Sequence, residues 1–186
     1  LSESDPIVSD SDAVRSAIGQ GTNSYTPIQL ARYVSTIANG KNCFDLTLVD
    51  SIHDVNNKVT ENNVVRRNTL DISSTTLDCI HRGMYKVVNE GSIKDLFVNS
   101  PVNVAGKTGT AQISANEPNH ALFVSYAPYE NPEISVSVVI PNAYTSSNAA
   151  SLASMIYQYY FDKSSRKKLL KHQAATPGST SGSVTD

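Results

Sequence analysis

The chain has 186 residues, of which 39% are hydrophobic and 17% are charged, and its formal net charge is −2. This length is enough for one hydrophobic core, so the sequence predicts one globular domain or part of one. The small negative charge gives no basis for a nucleic-acid partner, and no apolar run approaches the roughly 20 residues that span a bilayer.

The first residues do not resemble a targeting segment. The chain begins with Leu1 and continues with a Ser- and Asp-rich stretch, residues 2–12, which lacks the charged and apolar regions of a signal peptide. We therefore interpret residues 1–16 as a polar N-terminal segment at the cut edge of a longer protein.

Cysteine and histidine are sparse. Cys43 and Cys79 are the only cysteines, and the four histidines are scattered singly, so the sequence predicts neither a metal site nor a cofactor. The two cysteines could pair in an oxidising compartment, but two buried free thiols are the favoured interpretation.

Residues 26–40 have the pattern of a capped helix. Thr26 can cap the first turn, Pro27 suits the first helical position, and Gln29 can complete a capping box. Apolar residues follow at helical spacing, and Asn39-Gly40 supplies the stop. The sequence therefore predicts a helix that begins after Thr26 and ends near residue 39.

A second helix is predicted from about Thr75 to Gly91, with Asp78 as its capping-box partner. Its buried stripe is predicted to consist of Leu77, Ile80, Met84, Val87 and Val88. Residues 42–72, between the two helices, alternate apolar and polar side chains in short runs. This alternation indicates a short strand pair or an extended loop.

Three strands and a closing helix follow. Residues 102–113, 121–126 and 134–140 are rich in β-branched and aromatic residues, and the short gaps between them suit antiparallel hairpins. A last helix is predicted over residues 148–161. Its apolar face is predicted to consist of Leu152, Ile156 and Tyr160 together with Ala149 and Ala153. The elements predict an α+β fold in which an antiparallel sheet packs against helices.

Residues 162–186 differ in composition from the rest of the chain. A cluster of basic residues is followed by Ala, Thr, Pro, Gly and Ser with almost nothing apolar. Such a segment cannot bury enough surface to offset the entropy of ordering it. We predict a disordered tail.

The most informative segment is the nonapeptide Val104-Ala105-Gly106-Lys107-Thr108-Gly109-Thr110-Ala111-Gln112. On a strand, Lys107 and Gly109 share one face and Thr108 and Thr110 the other. A lysine beside hydroxyl and backbone N–H donors suits a substrate that carries a carboxylate and a polarised carbonyl. Lys-Thr-Gly is one of three motifs shared by β-lactamases and penicillin-binding proteins. For the tripeptide alone, a glycine-containing edge strand with an exposed lysine is the structural alternative.

Around this motif, the chain from about Ala17 to Phe161 resembles the C-terminal part of a class B penicillin-binding protein. These are membrane-anchored transpeptidases that cross-link peptidoglycan. Four stretches carry the resemblance in the order and spacing of the family: residues 17–21 with 25–31, 83–91, 104–112 and 120–128. The resemblance implies that residues 17–161 form the C-terminal part of a penicillin-binding protein transpeptidase fold, which is β-lactamase-like.

The resemblance also implies roles for the motif. In the family, a serine attacks the carbonyl between the last two D-alanines of a stem peptide, and an amine of a neighbouring stem resolves the acyl-enzyme. Lys107 would lie beside the nucleophile and help to relay the leaving-group proton, and the backbone N–H of Thr110 would supply half of the oxyanion hole. Thr108 and Thr110 would bind the substrate's carboxylate. Gly106 and Gly109 would keep side chains out of the substrate's path.

Two further expectations concern the surroundings of the motif. Lys107 and Thr108 should lie on an exposed strand face that borders a groove, because polar residues and glycines follow an apolar entry. The segment Gly19 to Asn23 is interpreted as a tight turn that leads into the cap of the first helix, with a place in the lining of the cleft as the alternative.

The chain departs from the family in one respect. The nucleophile motif Ser-x-x-Lys and the second motif Ser-x-Asn lie upstream of Lys-Thr-Gly in the family, and neither occurs ahead of Lys107. The same spellings occur only later, with the two Ser-x-x-Lys matches at Ser164 and Ser165 in the predicted tail. We therefore interpret the chain as one wall of an active site whose nucleophile lies in a missing N-terminal part.

Three functions remain open at this point. The resemblance favours a D,D-transpeptidase; a serine β-lactamase or D,D-carboxypeptidase, in which water resolves the acyl-enzyme, and a non-catalytic sensor of β-lactam or wall peptide are the alternatives. The implied partners are the D-alanyl-D-alanine end of stem peptides, β-lactams and cell-wall assembly proteins. The implied location is the outer face of the bacterial cell membrane, reached through an N-terminal anchor outside this chain, which itself is expected to be soluble.

Overall fold

The computed structural model describes residues 10–20, 24–61, 64–112 and 117–170. In chain order, the elements are α1 (Asp10–Ala17), α2 (Pro27–Ala38), β1 (Asn42–Phe44), β2 (Ser51–His53), β3 (Val59–Glu61), β4 (Arg66–Thr69), α3 (Ser74–Asn89), a 3₁₀ turn (Lys94–Leu96), β5 (Ala105–Ala111), β6 (His120–Ala127), β7 (Ile134–Ile140), α4 (Ser146–Phe161) and α5 (Arg166–Leu170).

A three-stranded antiparallel sheet forms the centre of the fold, with the strand order β5-β6-β7. Lys107 of β5 lies opposite Val124 of β6, which in turn lies opposite Ser137 of β7. The helices α2 and α3 contribute to a buried cluster on one face of this sheet, and α4 packs on the other. The predicted α+β architecture, an antiparallel sheet packed with helices, is confirmed.

The helix α2 begins where the sequence predicts it. The side chain of Thr26 accepts a hydrogen bond from the N–H of Gln29, and the side chain of Gln29 accepts one from the N–H of Thr26 at 2.8 Å. Pro27 lies in the first turn, and Asn39 caps the other end. The predicted capping box and both ends of the helix are confirmed. The sequence could predict them because all of these contacts are local.

The helix α3 has a different N-cap from the predicted one. Ser73 is the cap, and its hydroxyl accepts a hydrogen bond from the N–H of Thr76 at 3.0 Å. The predicted pairing of Thr75 with Asp78 is wrong, because Thr75 already lies within the first helical turn. The stripe is correct: Met84 and Val88 are buried, and Leu77, Ile80 and Val87 pack against them as partly buried side chains.

The closing helix α4 is confirmed, and so are Ala149, Ala153 and Ile156 of its predicted apolar face, which are buried or packed against the core, but the rest of that face is not. Its buried residues are small apart from one tyrosine: Ala149, Ala150, Ala153, Ser154 and Tyr157. The predicted Leu152 and Tyr160 are instead 43% and 44% exposed. The prediction failed there because it ranked side chains by hydrophobic bulk, whereas small side chains allow the helix to lie close to the sheet.

Short elements lie where the sequence predicted none or predicted loosely. The helix α1 lies almost entirely in the segment 1–16 and ends at Ala17, and α5 falls within the predicted tail, of which residues 171–186 lie outside the described residues. Residues 42–69 form two separate antiparallel pairs, β1 with β4 and β2 with β3. Both cysteines are free; Cys79 is exposed and Cys43 half-buried, so the expectation of two buried thiols is wrong.

Two clusters of buried side chains hold the helices to the sheet. On the α4 face, Phe123, Val136 and Val138 of the sheet meet the small residues of the helix. On the opposite face, a second cluster contains Val34, Ile37, Met84, Ala105 and Tyr126. The described helices thus cover the sheet on both faces.

Each cluster contains a fully buried tyrosine, and the two hydroxyls differ in their surroundings. The hydroxyl of Tyr157 donates a hydrogen bond to Oγ of Ser125 at 2.8 Å, whereas the hydroxyl of Tyr126 has no hydrogen-bond partner within the described part of the chain. Burial raises the pKa of both phenols far above the ordinary value. Both tyrosines therefore stay neutral in the folded protein.

The position of Gly106 explains how β5 fits against the rest of the sheet. A Cβ atom at this position would lie 2.5 Å from Cζ of Phe123 and 2.9 Å from Cβ of Ser125. Carbon atoms in favourable contact are about 3.5–4.0 Å apart, so only glycine fits without moving the phenylalanine ring. Gly106 therefore makes room for the core, and its predicted role in keeping a substrate's path clear stays a prediction.

The two buried tyrosines give a first prediction. Tyr157→Phe should lower the free energy of unfolding by about 1–3 kcal/mol, because it leaves the Ser125 hydroxyl buried without its partner. Tyr126→Phe should be neutral or stabilising, because it removes a buried hydroxyl that has no partner. Urea denaturation of both variants tests this pair, and equal losses of stability would contradict it.

The two buried tyrosines also predict how the stability of the folded chain depends on pH. The pKa of each phenol is higher in the folded state than its unfolded value of about 10, so the unfolded chain loses these protons first. Stability is therefore complete below about pH 10 and falls as the pH rises above it. Replacing both tyrosines by Phe should make this alkaline fall shallower.

Gly106 gives the second prediction. Gly106→Ala should cost about 1–3 kcal/mol of stability through overpacking against Phe123 and Ser125. Gly83 lies in the exposed middle of α3, where an added Cβ would meet nothing within 4 Å. Gly83→Ala should therefore stabilise the chain by roughly 0.5–1 kcal/mol. Thermal unfolding of both variants is the test, and a tolerated Gly106→Ala would refute the packing explanation.

Candidate functional site at the edge of strand β5

The strand β5 is an edge strand of the central sheet, because β6 is its neighbour on one side and the strand order places none on the other. Its first half is enclosed: Val104 and Ala105 are almost inaccessible to solvent. The side-chain amide of Asn89 at the end of α3 donates to the carbonyls of Tyr85, at 2.8 Å, and Val104, at 2.9 Å. The entry to the strand is thus fastened to α3, and the strand reaches the surface at Lys107.

Two carbonyl groups of the second half accept hydrogen bonds from side chains. The ammonium group of Lys107 donates to the carbonyl of Thr108 at 2.8 Å, and the side-chain amide of Gln20 donates to the carbonyl of Thr110 at 3.2 Å. Carbonyls two residues apart point to the same side of a strand. Because β6 pairs along the other side, these two carbonyls mark the unpaired outer edge.

Lys107 gives this edge its charge. Its side chain is exposed, and it belongs to none of the three ion pairs found among the described residues. An uncompensated ammonium beside unpaired backbone groups favours an extended ligand that carries an anionic group. The residues at this edge can therefore recognise a ligand and stabilise negative charge, but they include no activated nucleophile.

The predicted site residues lie in one stretch but do not all converge. Lys107 and Gly109 share one face of β5, and the half-buried Thr108 and exposed Thr110 share the other. The ammonium group is nevertheless turned toward the outer edge, where it meets the backbone of Thr108. The predicted exposure of Lys107 is confirmed, whereas the catalytic and substrate-binding roles of these residues remain predictions.

The groove predicted beside Lys107 is not enclosed by the described residues. A cavity of about 370 Å³ is lined by Asp78, His81, Arg82 and Tyr129. A second, of about 340 Å³, lies between the end of α3, the 3₁₀ turn and the segment that precedes β5. Neither is lined by Lys107 or Thr108, so the second wall of any cleft at β5 has to come from elsewhere.

Gln20 is a residue that sequence analysis underestimated. The end of α1 is a Schellman motif, in which the N–H of Gln20 donates to the carbonyl of Arg15 at 2.9 Å and that of Gly19 to Ser16 at 3.0 Å. Gly19 has φ +77°, which suits glycine. The predicted turn is thus present at Gly19, whereas residues 21–23 of the same prediction lie outside the described residues. Gln20 also contacts β5, and a place in the lining of a cleft stays a prediction. Its place in one of the four family-like stretches was the available signal.

The described residues offer little for other kinds of site. Within the ranges given above, no group of three or more His, Cys, Asp or Glu side chains is arranged to hold a metal ion. The same part of the chain has no helix with both the length and the apolar character needed to cross a membrane.

Comparisons with known proteins agree with this geometry. The family model "Penicillin binding protein transpeptidase domain" matches residues 2–158. Penicillin-binding protein 2A of Bacillus subtilis is 35% identical over 147 residues, which are 71% of this chain and 20% of that protein. Peptidoglycan D,D-transpeptidase MrdA of Haemophilus influenzae is 31% identical over 169 residues, which are 82% of this chain and 26% of that protein.

A solved structure shows the same fold. Penicillin-binding protein 2B of Streptococcus pneumoniae is 30% identical and has a TM-score of 0.72, over 83% of this chain and 28% of that one. The chain therefore spans about a quarter of the length of the relatives that it matches. The family match extends over most of the 186 residues and includes the exposed edge of β5, so the chain belongs to the penicillin-binding protein transpeptidase domain family.

Proposed function

We propose that the chain is the C-terminal part of the transpeptidase domain of a class B penicillin-binding protein, and that its parent is a peptidoglycan D,D-transpeptidase. The observation that carries this proposal is the Lys-Thr-Gly strand, which lies at an open sheet edge with an uncompensated ammonium group. The names of the B. subtilis and H. influenzae relatives support it. No observation favours a hydrolase or a non-catalytic sensor.

The proposed reaction divides between this chain and a preceding part of the parent. A serine of that part attacks the carbonyl between two D-alanines, and the terminal D-alanine leaves as an amine that takes up a proton. A second amine then attacks the acyl-serine and forms the cross-link. The sequence offers no Ser-x-x-Lys ahead of Lys107, which is why the nucleophile is assigned to the missing part.

This chain would supply the groups that bind and stabilise. Lys107 is proposed to hold positive charge beside the nucleophile and to help relay the proton to the leaving amine. The N–H of Thr110 points to the same side as its carbonyl, toward the outer edge, where it can donate to the developing oxyanion. The hydroxyls of Thr108 and Thr110 are proposed to bind the terminal carboxylate, and Gly106 and Gly109 are proposed to keep side chains out of the substrate's path.

Partners and location are proposed from the relatives. Penicillin-binding protein PBP2 of Helicobacter pylori was solved in complex with MreC; it is 26% identical to this chain, with a TM-score of 0.61. This supports the proposal that the parent assembles with cell-wall proteins, besides binding stem peptides and β-lactams. We place the parent at the outer face of the cell membrane, held by an anchor outside this chain.

The third prediction tests the role of Lys107 in the parent protein. A fluorescent penicillin should label the parent covalently at a serine outside this chain, and Lys107→Ala should slow labelling by about 10²- to 10⁴-fold, the range typical of a lost acid–base group. Lys86 is an exposed lysine on α3 that pairs with Glu90 at 3.7 Å. Lys86→Ala is the matched control and should label at the wild-type rate.

Two results would contradict this account. Equal labelling of Lys107→Ala and wild type would show that β5 is only a scaffold. A stoichiometric penicillin adduct on the isolated 186-residue chain, detected by intact-mass spectrometry and abolished by prior denaturation, would show that the nucleophile lies within it.

A further inference from the structure

We propose that Gln20 is a specificity-determining residue, because its amide occupies the place on the β5 edge that an extended ligand needs. The proposal rests on the proposed function and deepens it. It assigns to Gln20, in the turn that ends α1, a part in selecting the ligand. A ligand that reaches the carbonyl of Thr110 must displace Gln20, whereas a ligand that stops short of it need not.

The position of the amide is the first support. Nε2 of Gln20 lies 3.2 Å from the carbonyl oxygen of Thr110, and backbone N–H···O bonds of paired strands have N···O distances of about 2.7–3.2 Å. The amide nitrogen is thus as close to this oxygen as the backbone nitrogen of a strand added to β5 would be. The two groups compete for the same acceptor at the edge of the sheet.

The pairing rules of antiparallel strands give the second support. A residue in a hydrogen-bonded antiparallel pair uses its N–H and its C=O toward the same partner residue. If the N–H of Thr110 holds the reacting carbonyl of the ligand, the carbonyl of Thr110 faces the N–H of that same ligand residue. The Gln20 amide thus competes with the ligand group adjacent to the reacting bond.

The way in which Gln20 is held gives the third support. Its backbone is fixed by the Schellman motif, with Gly19 in the left-handed region, while its side chain can rotate about three bonds. Displacement therefore requires rotation of one side chain and no movement of the helix. The contact of Lys107 with the carbonyl of Thr108 differs from that of Gln20. When a ligand displaces the ammonium group from this carbonyl, the ammonium can turn to the ligand's anionic group and still interact with it.

The expected effect is moderate. A net hydrogen bond shifts an equilibrium by about threefold to tenfold. Removing the Gln20 amide should tighten, by that factor, the non-covalent complex that precedes acylation. The rate constant of acylation within the complex should not change, because Gln20 has left the edge before the reaction begins.

The experiment uses the parent protein and two penicillins. Benzylpenicillin carries an amide N–H next to its lactam carbonyl, and penicillanic acid carries only hydrogen there. Gln20→Met should lower the dissociation constant of the pre-acylation complex for benzylpenicillin about threefold to tenfold, with the acylation rate constant unchanged. For penicillanic acid neither constant should change. Gln20→Ala should repeat this result, and Gln158→Met, the same chemical change on α4, should have no effect.

The outcomes separate this inference from the proposed function. Weaker or unchanged binding of benzylpenicillin by both Gln20 variants would overturn the inference, and so would an equal change for both penicillins. Failure of the wild-type parent to react with either penicillin would instead overturn the proposed function.

Discussion

The whole arrangement depends on how β5 is enclosed. Its first half is closed on every side: Gly106 lies directly against Phe123, Ala105 belongs to the buried cluster beneath α2 and α3, and Asn89 fastens the preceding residue to a helix end. Its second half pairs with β6 on one side, and no strand of the described residues pairs along the other, where the side chain of Gln20 contacts the carbonyl of Thr110. A rigid strand that emerges from a core with one free edge can present Lys107 and Thr110 in fixed positions, which is what a binding edge requires.

The parts of the fold that the sequence predicted are those specified by local contacts. The capping box of Thr26 and Gln29 involves residues three apart, so the sequence predicts it without knowledge of the tertiary structure. The face of α4 is set by how closely a helix can approach the sheet, and this favoured Ala150 over the bulkier Leu152. The packing contact of Gly106 was not predicted for the same reason, because its neighbour Phe123 comes from another strand.

The candidate site divides in a similar way. The strand, the exposure of Lys107 and the family were predictable, because nine consecutive residues carry the motif and the flanking stretches keep the family's spacing. The contact of Gln20 with Thr110 joins residues 90 positions apart, and no local sequence pattern predicts it. For the nucleophile, the sequence could show only that no Ser-x-x-Lys motif precedes Lys107. The chain spans about a quarter of the length of its relatives.

The central claim, that the outer edge of β5 is open, can be measured directly by amide hydrogen exchange. The N–H groups of Lys107 and Gly109 point toward β6, whereas those of Thr108 and Thr110 point outward. We expect slow exchange at the first pair and much faster exchange at the second. Uniform protection along all four residues would mean that another segment pairs with this edge, and the account of β5 as a binding edge would be wrong.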